Sequence, residues 1–544
     1  MTSQLAGLDW ILIALYFVVI FAGALWATVR ERRDHRQETS ADYFLAGRNA
    51  GWFIVGASLF ASNIGSEHLV GLAGTGAESG VAVAQFEILA SFFLLLLGWV
   101  FVPFYLRSGV FTMPEFLERR YSPAARWYLA GISILGYVLT KISVTIFAGG
   151  IVFVALMGID FWTGALVVVV ATGIYTVVGG LRAVLVTDAI QMVVLLGGAI
   201  AVTAIGLNAV GGWGELVAAV PPGFLDLWKP ASDPNFPWTG ILFGAPILGI
   251  WYWCTDQFIV QRVLSARDLS QARRATVFAG LLKQLPLFIF VIPGVIAYVL
   301  VQQGRLELGS SDQALPALIG TLLPVGLRGI VVAGLLAALM SSLSSVFNST
   351  STLITWDIYR ELRPNASEQR LVWVGRISTA VLVAFGLLWI PLMQLISGTL
   401  YVYLQSVQAY IAPPIAAVFL LGVFFKRLNA HGAIASLLTG FVLGMGRLVA
   451  ELNKGSLDGW LFGYADINFL HFAALLFLVC VAVLVGVSMA TPPPPAHQIA
   501  GLTYQTTEPA PAEGAVPARA RRLDLALTAA VLAVIAVLWV WFSA

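Results

Sequence analysis

Long apolar stretches separated by short polar loops run along almost the whole chain. A stretch of about 20 apolar residues can cross a bilayer as a helix. Fourteen stretches meet this description and are predicted to be transmembrane helices: 9–29, 51–76, 81–106, 125–155, 158–179, 185–210, 238–261, 275–302, 326–357, 371–395, 399–425, 431–450, 467–490 and 523–543. The pattern predicts an all-α integral membrane protein with about 14 transmembrane helices.

The second of these stretches is interrupted by the polar run Ala61–His68, which reads ASNIGSEH. An ionisable side chain at mid-membrane costs about 2.5–3.5 kcal/mol on insertion scales. Unwound backbone is tolerated in a membrane only where it is buried in protein or lines a cavity. The run therefore predicts a binding site in a broken helix. The alternative is a face of small residues that packs against another helix.

Further polar side chains lie inside other predicted helices. Glu87 in the third stretch is close to His68 in sequence and favours hydrogen bonding to a polar ligand, although it could also accept a bond from a neighbouring helix. Lys283 in the eighth stretch is a second candidate, with snorkelling to the interface as the alternative. Lys141 has the same ambiguity. Gln405 can bind a hydroxyl group or bridge two helices.

Aromatic residues accompany hydrogen-bonding groups in the seventh stretch, where Gly249–Gln257 reads GIWYWCTDQ. A sugar has an apolar C–H face and a rim of hydroxyl groups, so this mixture suits it. The alternative is an aromatic belt at the membrane interface.

The ninth stretch is rich in hydroxyl groups. Ser341 and Ser342 are hard oxygen ligands of the kind that sodium prefers, especially beside the free carbonyls of a broken helix. Ser344 and Ser345 follow directly, and Asp188 in the sixth stretch could supply a carboxylate to a second cation or simply be solvated. Serines also bond to their own helix.

Composition and charge narrow the class of protein. Of the 544 residues, 59% are hydrophobic and 11% are charged, and the net charge of +2 is too small to indicate a nucleic-acid partner. Cys254 and Cys480 both lie in apolar runs, so no disulfide is expected. The chain has no GxxxxGK[ST] loop and no GxSxG, HExxH or CxxC motif. The polar groups in the membrane are therefore interpreted as binders, and the protein is not expected to be an enzyme.

Basic residues are concentrated in alternate loops between the predicted helices. Examples from these loops are Arg30, Arg107, Arg262, Arg360, Lys426 and Arg519. Basic loops favour the cytoplasmic side. With fourteen helices this pattern predicts that both termini lie outside. The proline-rich stretch 491–522 is predicted to be a disordered cytoplasmic linker before a peripheral C-terminal helix, 523–543.

Several stretches together resemble the solute:sodium symporter family, and within it the sodium/glucose cotransporters. They are DYFLAGR at 42–48, ASLFASNIGS at 57–66, GLAGTG at 71–76, TMPE at 112–115, KIS at 141–143, WYWCTDQ at 251–257, MSS at 340–342, FNS at 347–349 and DIY at 357–359. They extend from the first loop to the ninth helix in order and spacing, and the likeness continues to the eleventh.

The resemblance implies a core of five plus five helices in inverted repeat. The first repeat would be 51–210 and the second 238–425, with an extra N-terminal helix at 9–29 and two accessory helices in 431–490. The broken helices 51–76 and 238–261 would then be the first helix of each repeat. Paired interruptions of this kind mark binding sites in transporters.

The resemblance also implies roles for individual residues. The main sodium site would use carbonyls and hydroxyls of Ala61, Ile64, Ala338, Ser341 and Ser342. A second sodium, found in some members, would use Ser62, Asp188, Ser344 and Ser345. Sugar would bind to His68, Glu87, Tyr252, Lys283 and Gln405, and the gates would include Leu72, Phe86, Trp251 and Tyr401. The departures Glu67, Ala90 and Gly249 bear on sugar contacts.

The sequence thus predicts sodium-coupled symport of a neutral hexose, glucose or galactose, by alternating access, with Na+ as the co-transported ion. The expected partners are a small sugar, sodium and the lipid bilayer of the plasma membrane, and the oligomeric state is left open. The same fold could carry myo-inositol, a sialic acid or an amino acid. A channel or membrane sensor is the alternative of a different class.

Overall fold

The computed structural model describes residues 5–34, 39–65, 67–393, 400–506 and 518–543. Within these ranges the chain is almost entirely helical, and β-pairing is limited to two isolated bridges, Ala50 with Ala266 and Lys229 with Pro237. The prediction of an all-α membrane protein is confirmed.

Eleven helices in the described residues are long and apolar enough to cross a membrane. They are Gly7–Val29, Val81–Ser108, Pro123–Met157, Phe161–Val210, Leu269–Gln302, Leu327–Leu362, Glu368–Leu388, Leu404–Phe424, Ala430–Glu451, Phe469–Ala490 and Arg521–Trp541. Shorter helices in the connections include Ser40–Leu45, Met113–Arg120, Trp213–Ala219, Ala314–Leu322 and Gly459–Asp466.

The difference from fourteen has two physical causes. The predicted helices 158–179 and 185–210 follow one another without a loop as Phe161–Val210, which counts as one span although non-helical backbone at Gly180 divides it into two helices. The predicted helices 51–76 and 238–261 are each broken into shorter pieces. The number fourteen and the division into two repeats therefore stay predictions.

The first broken helix starts with Trp52–Asn63 and is interrupted at Ile64, whose backbone is extended with φ −75° and ψ 97°. Helix resumes at Glu67–Leu72 with π-type geometry. Gly65 at the break approaches a neighbouring helix closely, because a Cβ there would lie 2.6 Å from Ser342 Oγ. The interruption predicted in Ala61–His68 is present at Ile64 and Gly65, and Ser66 lies outside the described residues.

The second broken helix has the same plan. It runs through Trp238–Phe243, Ala245–Gly249 and the π-helical Ile250–Thr255, and it is interrupted at Asp256. Asp256 is extended, with φ −79° and ψ 129°, and its carboxylate caps the next helix, Gln257–Leu264. Two interrupted helices thus bring free backbone groups to the interior of the protein.

The helix Leu327–Thr352, called the serine helix below, forms the centre of the core. It is buried along nearly its whole length and packs along Phe161–Val210. Glycines permit the close approach: a Cβ on Gly334 would lie 3.3 Å from the backbone oxygen of Val194. Small residues at helix crossings are the usual means of close packing in membranes.

The stretch 491–506 corrects the prediction of a disordered linker. It packs against the ends of other helices, with Gln498 Nε2 donating to the Tyr121 carbonyl at 2.8 Å and the Tyr504 amide donating to the Val423 carbonyl at 2.8 Å. Side chains of the core also bind its backbone, since Asn429 Nδ2 donates to the Pro492 carbonyl at 2.7 Å.

The rest of the predicted linker divides into two parts. Residues 507–517 lie outside the described residues. Residues 518–522 belong to the last helix, Ala518–Trp541, called the final helix below. The helix therefore begins earlier than the predicted boundary at 523.

The kink at Gly180 supplies a test of the fold. Gly180 has φ 54° and ψ −155°, a region open essentially to glycine alone, and a Cβ there would lie 2.5 Å from the Tyr43 carbonyl oxygen. Gly180→Ala should destabilise the protein by about 1–3 kcal/mol through backbone strain. Thermal unfolding of the detergent-solubilised protein should show a lower Tm.

The matched control is Gly197→Ala in the same helix, where a Cβ would meet nothing within 4 Å. Alanine is a better helix former than glycine, so this variant should be neutral or slightly more stable. Equal Tm values for the two variants would show that the kink is not a constraint on folding.

Candidate functional site

A cavity of about 70 Å³, lined by polar, aromatic and aliphatic side chains, lies between the two broken helices. Its wall includes six residues that the sequence assigned to solute binding or gating: His68, Phe86, Glu87, Tyr252, Tyr401 and Gln405. These residues come from four separate helical segments, so the fold brings them to one place. Asn63, Glu67 and Trp253 also line the cavity.

The polar side of the cavity is organised by a buried ion pair. Lys283 is fully buried and donates to the carboxylate of Glu87 and to the side-chain oxygen of Asn63. His68 Nε2 lies 3.1 Å from Glu87 Oε1 and 3.1 Å from Lys283 Nζ. A buried charge needs a partner and further hydrogen bonds. Lys283 therefore does not snorkel, and it holds two residues of the cavity wall in place.

Tyr252 closes one end of the cavity through its hydroxyl group. Asn63 Nδ2 donates to the Tyr252 oxygen at 2.8 Å, and Lys141 Nζ donates to it at 2.9 Å. The Lys141 ammonium also lies 4.2 Å from the ring centres of both Tyr252 and Phe258, within cation–π range. Lys141, which was ambiguous in the sequence, is thus a direct neighbour of the site.

Phe86 and Tyr401 form an aromatic cover on the other side. Their rings meet edge to face with centres 5.9 Å apart, and Phe86 stacks on Phe469 at 6.5 Å. Gln405 Nε2 donates to the Tyr401 hydroxyl at 2.8 Å. The aromatic rings of Phe86, Tyr252, Trp253 and Tyr401 therefore all contribute to the cavity wall.

Two predicted gate residues are placed differently from the rest. Leu72 is buried and Trp251 is half-buried, and neither belongs to the cavity wall formed by the described residues. Trp253 takes the position in the wall, with its ring 5.5 Å from the Lys283 ammonium. The gating roles of Leu72 and Trp251 stay predictions.

The predicted main sodium ligands meet where the break in the first helix touches the serine helix. Ser342 Oγ donates to the Ser62 carbonyl at 3.0 Å and lies 3.4 Å from the Ile64 carbonyl oxygen. Ala61 lies in the last turn before the break, and Ala338 lies one turn before Ser342. Hydroxyl and carbonyl oxygens in this arrangement suit a hard cation such as sodium.

Ser341 points to a neighbouring carboxylate. Asp188 accepts hydrogen bonds from Ser341 Oγ at 2.6 Å, from Ser58 Oγ at 2.5 Å and from Ser62 Oγ at 3.0 Å. Ser345 Oγ donates to Ser62 Oγ at 2.8 Å. Three of the four predicted ligands of a second sodium are thus together, and Ser341 belongs to their hydrogen-bond network.

The fourth predicted ligand, Ser344, instead donates to the Ser341 carbonyl of its own helix at 3.0 Å. The positively charged side chain of Arg262 also lies beside this group. Its Nε donates to Ser62 Oγ at 2.8 Å and to Ser58 Oγ at 3.2 Å. Arg262 is fully buried, so its assignment to a basic loop is wrong. A buried guanidinium beside a carboxylate is electrostatically favourable.

Comparison with known proteins decides the family. A model of the sodium:solute symporter family matches residues 43–440. The chain belongs to the sodium:solute symporter family. Both broken helices, the cavity and the serine helix lie within the matched range, so the symporter family and the geometry concern the same part of the protein.

Three relatives cover most of this symporter. Sodium/glucose cotransporter 1 of Ovis aries is 39% identical over 525 residues, which cover 88% of this chain and 78% of the relative. Sodium/glucose cotransporter 4 of Mus musculus is 40% identical over 535 residues, covering 92% and 78%. The sodium/myo-inositol cotransporter of Mus musculus is 37% identical over 553 residues, covering 93% and 76%.

Solved structures share the fold. A substrate-bound, outward-open Na+-coupled sialic acid symporter superposes with a TM-score of 0.77 at 23% identity, covering 90% of this chain and 99% of that one. MHP1, a nucleobase-cation-symport-1 family transporter in a closed conformation, gives a TM-score of 0.57 at 14% identity, covering 85% and 98%. These likenesses confirm the predicted fold class.

Family membership settles the class of function. The protein is a multi-pass secondary transporter that moves sodium together with a solute, and it is not an enzyme. The prediction that Na+ is the co-transported ion is confirmed at the level of the family.

The buried ion pair generates a prediction about stability. Glu87→Gln leaves the Lys283 charge buried without a carboxylate and should cost about 3–5 kcal/mol. The double variant Glu87→Gln/Lys283→Met removes both charges and should recover most of the lost Tm without recovering solute transport. Thermal unfolding and uptake assays measure the two effects separately.

The control is Glu78→Gln, because Glu78 lies outside the cavity and is exposed. It should leave both Tm and uptake close to those of the parent protein. A double variant as unstable as Glu87→Gln alone would mean that the two charges do not compensate each other.

Proposed function

We propose that this symporter carries a neutral hexose, glucose or galactose, into the cell together with sodium by alternating access. The observation that carries the proposal is the cavity lined by His68 and Glu87, which lies next to the break that also approaches Ser342. Lys283 does not line the cavity, but it is buried against Glu87 and Asn63 of its wall. The similarity to sodium/glucose cotransporters over most of the chain supports it.

The chemistry of the cavity suits a sugar. His68, Glu87 and Gln405 offer donors and acceptors for hydroxyl groups, and the rings of Tyr252 and Trp253 offer apolar surface for the C–H face. The Lys283 charge is already compensated by Glu87. An uncharged solute can therefore bind without leaving a buried charge unpaired.

Sodium and sugar would be coupled through the first broken helix. The Ile64 carbonyl lies beside Ser342, whereas His68, one turn beyond the break, faces the cavity. Sodium held by Ala61, Ile64, Ala338, Ser341 and Ser342 would fix the break in the shape that places His68. Each inward positive charge contributes about 2.3 kcal/mol per 100 mV of membrane potential.

The second candidate solute is myo-inositol. The 37% identity to a sodium/myo-inositol cotransporter supports it, and a cyclic polyol offers the same rim of hydroxyl groups. An anionic sialic acid is less well supported, because both Glu67 and Glu87 line the cavity. An amino acid would bring a carboxylate with the same difficulty.

We place the protein in the plasma membrane with both termini outside, as the basic loops predict.

Uptake by proteoliposomes tests the function. An inward sodium gradient should drive concentrative uptake of labelled glucose, and replacing external sodium by choline should abolish it. Unlabelled galactose should compete well, sialic acid and proline should compete poorly, and myo-inositol serves as the second candidate. Glucose uptake at the same rate with and without sodium would refute coupling. Stronger competition by myo-inositol than by galactose would favour myo-inositol as the transported solute.

The sodium ligands are tested in the same assay by Ser342→Ala. The variant removes one oxygen ligand of sodium. If that contact is worth as much as a hydrogen bond to a charged group, about 1.5–3 kcal/mol, the sodium concentration for half-maximal uptake should rise at least about tenfold. Ser349→Ala is the matched control, since Ser349 is equally buried on the same helix and its hydroxyl has no partner among the described residues. Equal sodium dependence in both variants would remove Ser342 from the site.

A further inference from the structure

The final helix presents one face to the protein and the other to lipid. The residues buried on the inner face share a spacing of three, four or seven positions: Asp524, Val531, Ile535 and Leu538. Phe542, just after the helix, is also buried. The outer face exposes Val537, Val540 and Trp541. A helix that only filled the periphery would need apolar contacts alone, yet this inner face also makes specific hydrogen bonds.

Two of these hydrogen bonds involve residues that are close in sequence to Glu87 or Lys283. Trp539 Nε1 donates to Gln85 Oε1 at 2.9 Å, two residues before Glu87. Gln284 Nε2 donates to the Val531 carbonyl at 3.0 Å, and Gln284 directly follows Lys283. Gln85 and Gln284 are both buried, so each needs such a partner.

The backbone changes from α-helix to a turn at Lys283, with the amides of Gln284 and Leu285 bonding to carbonyls only three residues back, Leu281 and Leu282. The helix Leu269–Leu282 ends just before it, and Lys283, Gln284 and Leu285 form a turn that precedes Pro286. Proline has no N–H to donate and disfavours helix in the residue before it. The hydrogen bond from Gln284 to the Val531 carbonyl of the final helix therefore fixes the position of this turn relative to that helix.

Gln85 makes comparable contacts near Glu87, the other member of the ion pair. It is the first residue of Gln85–Leu96, the helix that carries Glu87 in its first turn. Its side chain joins two elements, accepting from Trp539 and donating to the Leu227 carbonyl at 3.4 Å. The start of this helix is thus held by the final helix and by the loop before the second broken helix.

Two further contacts set the register of the final helix. Arg274 Nε lies 2.8 Å from Asp524 Oδ1, and Asp524 is fully buried. Trp99 Nε1 donates to Thr528 Oγ at 3.0 Å. These contacts lie two turns and one turn before Val531, so the backbone carbonyl that receives Gln284 is fixed along the helix axis.

We propose that the final helix is a positioning element of the solute site, with Trp539 acting through Gln85 on Glu87 and Val531 acting through Gln284 on Lys283. The inference rests on the proposed role of Glu87 and Lys283 in binding the solute. The final helix holds the two charges at ion-pair distance and thereby sets the affinity for the solute. None of these bonds ends on Ser342, Ser62 or Ile64, so affinity for sodium should be set elsewhere.

Trp539→Phe tests the proposal because it removes one N–H and keeps an aromatic ring against Trp228. The KM for the transported solute should rise about 2- to 10-fold, the equivalent of one hydrogen bond, with little change in maximal rate or in the sodium concentration for half-maximal uptake. Trp541→Phe makes the same substitution on the lipid face, where Trp541 is 66% exposed, and should change none of these values.

A second readout does not depend on any solute. If the hydrogen bonds from the final helix to Gln85 and Gln284 are weakened, Lys283 should give up its proton and expose its neutral amine more often. The amine should then react faster with a membrane-permeant acylating reagent, which acylates the nitrogen and releases its leaving group, as measured by peptide mass spectrometry on the purified full-length protein. Trp539→Phe should label faster than Trp541→Phe. Equal labelling rates would overturn the positioning role, whereas failure of the parent protein to take up any sugar would refute only the proposed function.

Gln284→Leu provides an independent variant of the other contact. It removes the bond to the Val531 carbonyl and should raise both the labelling rate of Lys283 and the KM in the same direction. A lower Tm with unchanged labelling and unchanged KM would show that the final helix only stabilises the fold.

Discussion

Every polar group of the backbone must find a partner inside a membrane, and the break at Ile64 and Gly65 is where this constraint shapes the protein. The backbone at Ile64 is extended and interrupts the helix. The Ser342 hydroxyl of the serine helix donates a hydrogen bond to the Ser62 carbonyl beside this interruption, at 3.0 Å. Gly65 permits that approach because a Cβ would collide with the same hydroxyl. The arrangement that makes an interruption tolerable is also the arrangement that can hold a cation.

Charge balance is the second condition that the site must meet. Two buried cations near the site lie close to a carboxylate: Lys283 pairs with Glu87, and Arg262 lies beside the serines that bind Asp188. Lys141 is held by the rings of Tyr252 and Phe258. A neutral solute leaves this balance intact, while sodium brings the added charge on which the membrane potential acts.

Much of the site could be predicted from the sequence because its residues stand out chemically in apolar surroundings. The break, Glu87, Lys283 and the serine pair are visible in this way. Partners more than a hundred residues apart are not visible, and this is why the burial of Arg262 beside Ser62 was missed. The place of Trp253 in the cavity wall was not predicted either, since Ile250–Thr255 is π-helical and ordinary helical spacing does not apply there.

The central claim is that one short break carries both cargoes, so that their binding energies are linked. Isothermal titration of the purified protein can measure solute affinity with and without saturating sodium, and sodium affinity with and without saturating solute. The account predicts that each ligand tightens the binding of the other by the same factor, about 5- to 150-fold for typical coupling energies. Affinities that are independent of the other ligand would contradict it.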